Sequence, residues 1–137
     1  MMSNLSAFLN PAVPAEEKEV IISNRFQENG KPVPFKIRAL TQEEMDGIIK
    51  QATRMTKVKR QQVEQLDKQV MSRLVVLTGT VEPNFANKQL CDKYGVIDPS
   101  LVPGKMLLAG EHTRLSEAIM ELSGFDYDEE VEEQAKN

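Results

Sequence analysis

Asn29-Gly30, set between two stretches that carry apolar side chains at alternate positions, constrains this chain more than any other feature in it. An Asn-Gly pair accepts positive φ at both residues and closes a type I′ turn, whose twist matches that of two antiparallel strands. Reading outward, Glu28 faces Lys31, Phe26 faces Val33, Asn24 faces Phe35, Ile22 faces Ile37 and Val20 faces Ala39. One face is apolar and the other mainly polar, which is the pattern of a ribbon with one side on a core. Pro32 and Pro34 fall opposite Gln27 and Arg25, where strand N–H groups point away from the ladder. Their missing donors cost the pairing nothing, and they blunt its outer edge.

Helix signals come directly after the ribbon. Thr41 and Glu44 have capping-box spacing, and Leu40 with Met45 completes a hydrophobic staple. Met45, Ile48, Ile49 and Ala52 then recur at helical spacing. A second helix is expected over about 61–78, with Val63, Leu66, Val70, Leu74 and Leu77 on one side, ending in a left-handed cap near Gly79. Farther on, Asn87 caps a short helix closed by Gly95, and Asp98-Pro99 starts another. Pro103-Gly104 kinks or interrupts that helix. A last helix is expected over about 110–123, with Leu115, Ala118, Ile119 and Leu122 on its buried face and Gly124 just past its end. The expected fold is α+β, an N-terminal β-hairpin packed against a mostly helical domain of about four to five helices.

A chain of 137 residues suits one core. Trp is absent and the aromatics are few, so that core is mostly aliphatic and methionine. Residues 1–18 mix Ser, Asn, Pro and Glu around Ala7-Phe8-Leu9 and read as a mobile arm, with a single domain over 19–125. Residues 126–137 hold six acids against one Lys, a charge of −5 within a total of −4, and read as a disordered acidic tail. The body is therefore nearly neutral, which argues against nucleic acid as a partner. Residues 50–60 do carry five basic side chains and no acid (Lys50, Arg54, Lys57, Lys59, Arg60), but without aromatic companions they read as a solvated loop or helix face.

Neither chemistry nor membrane attachment is indicated. One His and one Cys are too few for an ordinary metal centre, and the glycines form no phosphate-binding loop. Cys91 reads as a partly buried free thiol, and His112 as the edge of a helix stripe. No Ser sits on an elbow beside a base, so no catalytic residue, cofactor site or metal site is assigned. No apolar run approaches the roughly 18 residues that span a bilayer, so a soluble, cytoplasmic protein without a membrane partner is expected.

A series of fragments in fixed order carries a resemblance. It comprises Ala7-Phe8-Leu9 with Pro11, Ser23-Asn24-Arg25-Phe26, Asn29-Gly30-Lys31-Pro32-Val33, and Arg38 with Thr41 and Glu43-Glu44. It continues with Asn84-Phe85, LCDKYGV at 90–96, MLLAGE at 106–111 and Gly124-Phe125-Asp126. In that order they resemble the XkdN-like family of phage tail assembly chaperones, over most of the chain. Residues 54–68 depart from the family pattern, and Glu82 stands where an apolar residue is expected.

The resemblance implies a prophage- or phage-encoded, non-virion assembly factor in the host cytoplasm. Such a factor binds the tape-measure protein, a long apolar helical polypeptide, and keeps it soluble while tail-tube subunits gather. It also implies two product lengths through a programmed frameshift, with the acidic tail lying where an extension would begin. This role requires an adaptable apolar groove and no catalytic group, and Met45, Met55, Met71, Met106 and Met120 are candidates to line it. The partner-binding candidates are Phe8 and Leu9 in the arm, Phe85, and the interrupted segment with Val102, Met106 and Leu107. Homo-oligomerisation is left open. The competing readings are a structural tail or connector protein retained in the virion, and a nucleic-acid-binding regulator built on residues 50–60.

Overall fold

Asn29 and Gly30 both take positive φ, 54° and 76°, in the computed structural model, which describes residues 4–12 and 17–125. They close strands β2 (Gln27–Glu28) and β3 (Lys31–Pro32), pairing Glu28 with Lys31 and Gln27 with Pro32. The Val33 N–H still reaches Phe26 O at 2.7 Å. There the expected ribbon ends. Strand β1 (Glu17–Val20) pairs with β4 (Phe35–Arg38) so that Val20 lies opposite Phe35 rather than Ala39, a shift of four. An even shift leaves the faces unchanged, so the alternating pattern is equally satisfied by either register. The displaced residues, 21–26, form a loop instead of strand.

A third strand, β7 (Thr80–Glu82), completes an antiparallel sheet in the order β1-β4-β7, with an irregularity at Lys36 and Ile37 of the middle strand. Phe35 and Ile37 on β4 are buried and form the floor of the core. Among the described residues there are six α-helices: α1 (Leu5–Leu9), α2 (Gln42–Ala52), α3 (Lys68–Gly79), α4 (Lys88–Tyr94), α5 (Val102–Met106) and α6 (Ala109–Leu122). A 3-10 turn, Pro99–Leu101, precedes α5. The acidic segment 126–137 lies outside the described residues, as do 1–3 and 13–16 of the arm.

Helix α2 begins with the full capping box. Thr41 Oγ1 accepts the Glu44 N–H at 3.1 Å, and Glu44 Oε1 accepts the Thr41 N–H at 3.0 Å. Arg38 at the end of β4 donates to both carboxylate oxygens of Glu44, at 3.0 and 2.5 Å, and so joins sheet to helix. Helix α6 closes with a Schellman motif: Gly124 (φ 99°) donates to Glu121 O and Phe125 to Met120 O, each at 3.0 Å.

The expected helix over 61–78 divides in two. Residues 61–66 are strand β6 (Gln61–Leu66), paired with β5 (Thr53–Val58) in a separate hairpin turned by Lys59 and Arg60. Helix α3 starts only after Asp67, whose carboxylate accepts the Gln69 and Val70 N–H groups at 3.0 and 3.2 Å. Val63 and Leu66 are consequently exposed, and α3 buries Val75, Val76 and Gly79. Residues 50–60 are accordingly the end of α2 and the first strand and turn of the hairpin; their five basic side chains are exposed, as expected of a solvated stretch, but Arg54 and Lys57 stand on a strand rather than on a loop or helix.

Gly79 also differs from expectation, because the chain passes from it directly into β7 without a left-handed cap. Its small size serves a close crossing of α3 and α6. A Cβ at position 79 would lie 2.4 Å from Ile119 Cγ2, and Ile119 is fully buried. We predict that Gly79→Ala destabilises the protein by about 1–3 kcal/mol through overpacking. Urea unfolding measures it, and an unchanged midpoint would show that the crossing relaxes freely.

Candidate functional site

Two stretches far apart in sequence, the 21–26 loop and the segment from Met106 to Glu111, meet at the Arg25 side chain. Its Nε donates to Glu111 Oε2 at 3.0 Å and one terminal nitrogen donates to Glu111 Oε1 at 2.5 Å. The same nitrogen donates to Met106 O at 3.1 Å. Glu111, three residues into α6, also accepts the Leu108 N–H at 2.8 Å, which fixes the first turn of that helix. An arginine of α6, Arg114, donates to Ile22 O at 3.2 Å. The 21–26 loop is thus fastened to α6 at two points, and this tether is what removes it from the hairpin ladder.

Electrostatics reinforces the clasp. The Arg25 guanidinium, followed by the Ser23 hydroxyl, holds the Glu111 carboxyl at about 2, well below its ordinary 4.5, and the Leu108 N–H adds to this against the opposing effect of desolvation. Glu44 is likewise held at about 2, first by Arg38 and then by the Thr41 N–H. Arg25 also lies 4.9 Å above the Phe26 ring, which meets Phe35 edge-on at 5.5 Å.

Two grooves flank this clasp. One, of about 580 Å³, runs between the 21–25 loop and α6 and exposes Ile21 and Leu108 beside Glu111 and Arg114. The other, of about 610 Å³, is lined by Phe26, Val33, Pro34, Phe35, Pro83 and Met106, with Arg25, Gln27 and Glu82 at its rim. The second is the more apolar. Its walls come from the 21–26 loop, the segment after Asn29-Gly30, the end of β7 and the end of α5. Glu82 is one of its exposed polar edges.

The residues expected to bind a partner are dispersed. Phe8 and Leu9 are 79% and 68% exposed on α1, which buries nothing. Met106 is half-buried and lines the apolar groove. Phe85, Val102 and Leu107 are core residues and present no surface to a partner. The backbone explains each of these three. The Asn84 turn, with Ala86 N–H on Asn84 Oδ1 at 3.0 Å, directs Phe85 inward. Asp98 accepts the Ser100 N–H and hydroxyl at 2.9 and 2.8 Å, which sets the 3-10 turn and buries Val102 behind it. Pro103 lies in the first turn of α5, where it is tolerated, so the interruption falls after Met106 and Leu107 turns into the core.

Sequence reading misses Phe26, Phe35, Pro34 and Pro83 as groove residues, because the alternating pattern assigns Phe26, Pro34 and Phe35 to the ribbon. Of the candidate methionines, Met45 is buried and Met71 and Met120 pack half-buried against the core. Met55 is 56% exposed on the β5–β6 hairpin. Cys91 is buried, its thiol donating to Phe85 O at 3.4 Å. Burial lowers the pKa of His112. Among the described residues no group of three or more His, Cys, Asp or Glu could hold a metal ion, and no helix is long and apolar enough to cross a membrane.

Comparison with known proteins places the chain among phage proteins. Residues 5–136 match the model of the phage XkdN-like tail assembly chaperone family. The protein YqbN of Bacillus subtilis strain 168 is 39% identical, with 98% of this chain and 93% of the relative covered. The phage-like element PBSX protein XkdN of the same strain is 34% identical, over 98% of this chain and 94% of the relative. A crystal structure of YqbN superimposes with a TM-score of 0.75 at 32% identity, covering 92% of this chain and all of that one.

The clasp makes a pH-dependent contribution with a definite sign. A carboxyl depressed to about 2 contributes stability that is complete above its unfolded value and lost as pH falls through its folded value. Glu111→Gln should therefore lower the thermal midpoint at pH 7, and the gap from the unmodified protein should close between about pH 4.5 and pH 2. A gap of constant size over that window would show that the Arg25–Glu111 pair contributes nothing.

Proposed function

The chain belongs to the XkdN-like family of phage tail assembly chaperones, and we propose that it binds the tape-measure protein of its phage and keeps it soluble during tail assembly. Tail assembly chaperones are in general not enzymes, so the relevant geometry is that of a binding surface. The observation that supports this reading is the apolar groove beside Arg25, walled by Phe26, Val33, Pro34, Phe35, Pro83 and Met106. An apolar helix recognised by its i, i+3, i+4 side chains offers what such a groove can bury. Met106 adds an unbranched, polarizable wall that adapts to different occupants, which suits a client with many similar apolar stripes.

In this reading residues 19–125 are the chaperone domain, and Phe8 and Leu9 in the 1–18 arm give a second apolar contact with the same client. Residues 126–137 act as a solubilising appendage, and the site of action is the host cytoplasm.

Co-expression with the tape-measure protein of the same phage tests the proposal. The unmodified chain should bring that protein into the soluble fraction and co-purify with it. A variant with Val33→Asp and Met106→Glu should bind at least about tenfold more weakly, a loss of about 1.4 kcal/mol, while keeping its circular dichroism spectrum. No gain in solubility with the unmodified chain would sink the proposal. Detection of the chain as a stoichiometric component of purified particles would instead favour a structural tail or connector protein.

A further inference from the structure

The β5–β6 hairpin projects with little support from the rest of the described structure. Of its strand residues, only Thr53 and Thr56 are even half-buried. Met55, Val58, Val63 and Leu66 are 56%, 53%, 42% and 38% exposed. Met55 and Leu66 stand on one face of the ribbon with Lys57 and Glu64, and Val58 and Val63 on the other with Arg54. An isolated two-stranded hairpin is marginally stable in water, and exposed apolar side chains on both faces weaken the case for free solvent around it. Its tip is strained as well, because Lys59 and Arg60 take φ of 52° and 67° where Asn-Gly would be at ease. Residues 53–66 carry four basic side chains and one acid.

We propose that the acidic segment 126–137 of the same chain docks on this hairpin and covers it. Charge complementarity selects the occupant: the segment carries six acids and one Lys, with Tyr127, Val131 and Ala135 recurring every fourth residue among them. It supplies carboxylates for Arg54, Lys57, Lys59 and Arg60 and apolar groups for the exposed Met and Val side chains. A nucleic acid would meet the cations and leave those apolar side chains in water. A second copy of the ribbon, pairing edge to edge, would bring like charges together.

The segment also reaches. The end of α6 is pinned to the start of α2, since the Leu40 N–H donates to Ser123 Oγ at 2.8 Å. The hairpin leaves from the other end of α2, whose base is closed by the Asp67 N–H on Ala52 O at 2.8 Å. Helix α2 has 11 residues, so about 16 Å separates its ends at 1.5 Å per residue. Twelve residues extend to at most about 40 Å. Tethering makes the encounter intramolecular, with an effective concentration on the order of millimolar. Each exposed ion pair contributes little, so the contact depends on many charges together and loosens with salt.

Zero-length carbodiimide cross-linking of the full chain, read by mass spectrometry, tests the contact. An equal mixture of isotope-labelled and unlabelled protein distinguishes links within a chain from links between chains. Within-chain links from Lys57 or Lys59 to Glu129, Glu130, Glu132 or Glu133 are expected at low salt. They should be lost at about 1 M salt and lost also in a variant with Arg54→Glu and Arg60→Glu. In a full-length variant with those four glutamates changed to Gln, amide exchange across 53–66 should speed up by roughly tenfold or more, with the thermal midpoint unchanged. Links only between chains, or exchange indifferent to the Gln changes, would overturn the proposal. So would retention of short duplex DNA that is equal with and without the acidic charge.

Discussion

The ion pair between Arg25 and Glu111 holds together what the backbone alone would leave apart. Glu111 is buried at the start of α6, whereas Arg25 lies on the loop that interrupts the N-terminal ribbon. A carboxylate in that position needs a charged, geometrically matched donor, since an unpaired buried charge is among the most costly defects a fold can carry. The bidentate guanidinium supplies it and donates through the same terminal nitrogen to Met106 O. One side chain thereby sets the position of the loop, the end of α5 and the first turn of α6. The apolar groove exists between elements placed in this way.

The fragments that resemble the family gain a physical meaning from this arrangement. Ser23-Asn24-Arg25-Phe26 and the stretch from Met106 to Glu111 are remote in sequence and joined through the clasp. Arg38 and Glu44 are joined through the second bidentate pair, which ties the sheet to α2. Asn29-Gly30 turns the hairpin that carries Val33 to the groove wall. The fragments therefore encode the frame that holds an apolar surface open to solvent. Residues 53–66 build the hairpin that projects from that frame.

Local chemistry was legible in the sequence wherever one residue type satisfies one backbone need. The caps at Thr41, Asn87 and Asp98, the turn at Asn29-Gly30 and the closure at Gly124 all depend on neighbours within five residues. The shifted register of β1 was not legible, because an even slip leaves the apolar face intact and only the distant Glu111 and Arg114 select it. The β5–β6 hairpin was hidden for two reasons. Its turn residues, Lys59 and Arg60, carry no turn signal, and Val63, Leu66 and Val70 continue the helical spacing of α3 backward. The signal that could have separated them is Asp67, a strong cap in the middle of the expected helix. The groove was only partly legible: Met106 stood out, but Phe85, Val102 and Leu107, expected to share its role, proved to be core. An apolar residue near a proline reads the same whether it faces a partner or the interior.

The function proposed for this chain turns on the groove beside Arg25 receiving an apolar helix. Its most direct test is methyl NMR of the full chain labelled at methionine, titrated with a helical segment of the tape-measure protein. The Met106 methyl signal should move first and farthest while that of Met45, in the core, stays in place. Movement of the Met55 signal with Met106 unmoved would contradict it, and would place the client on the projecting hairpin instead.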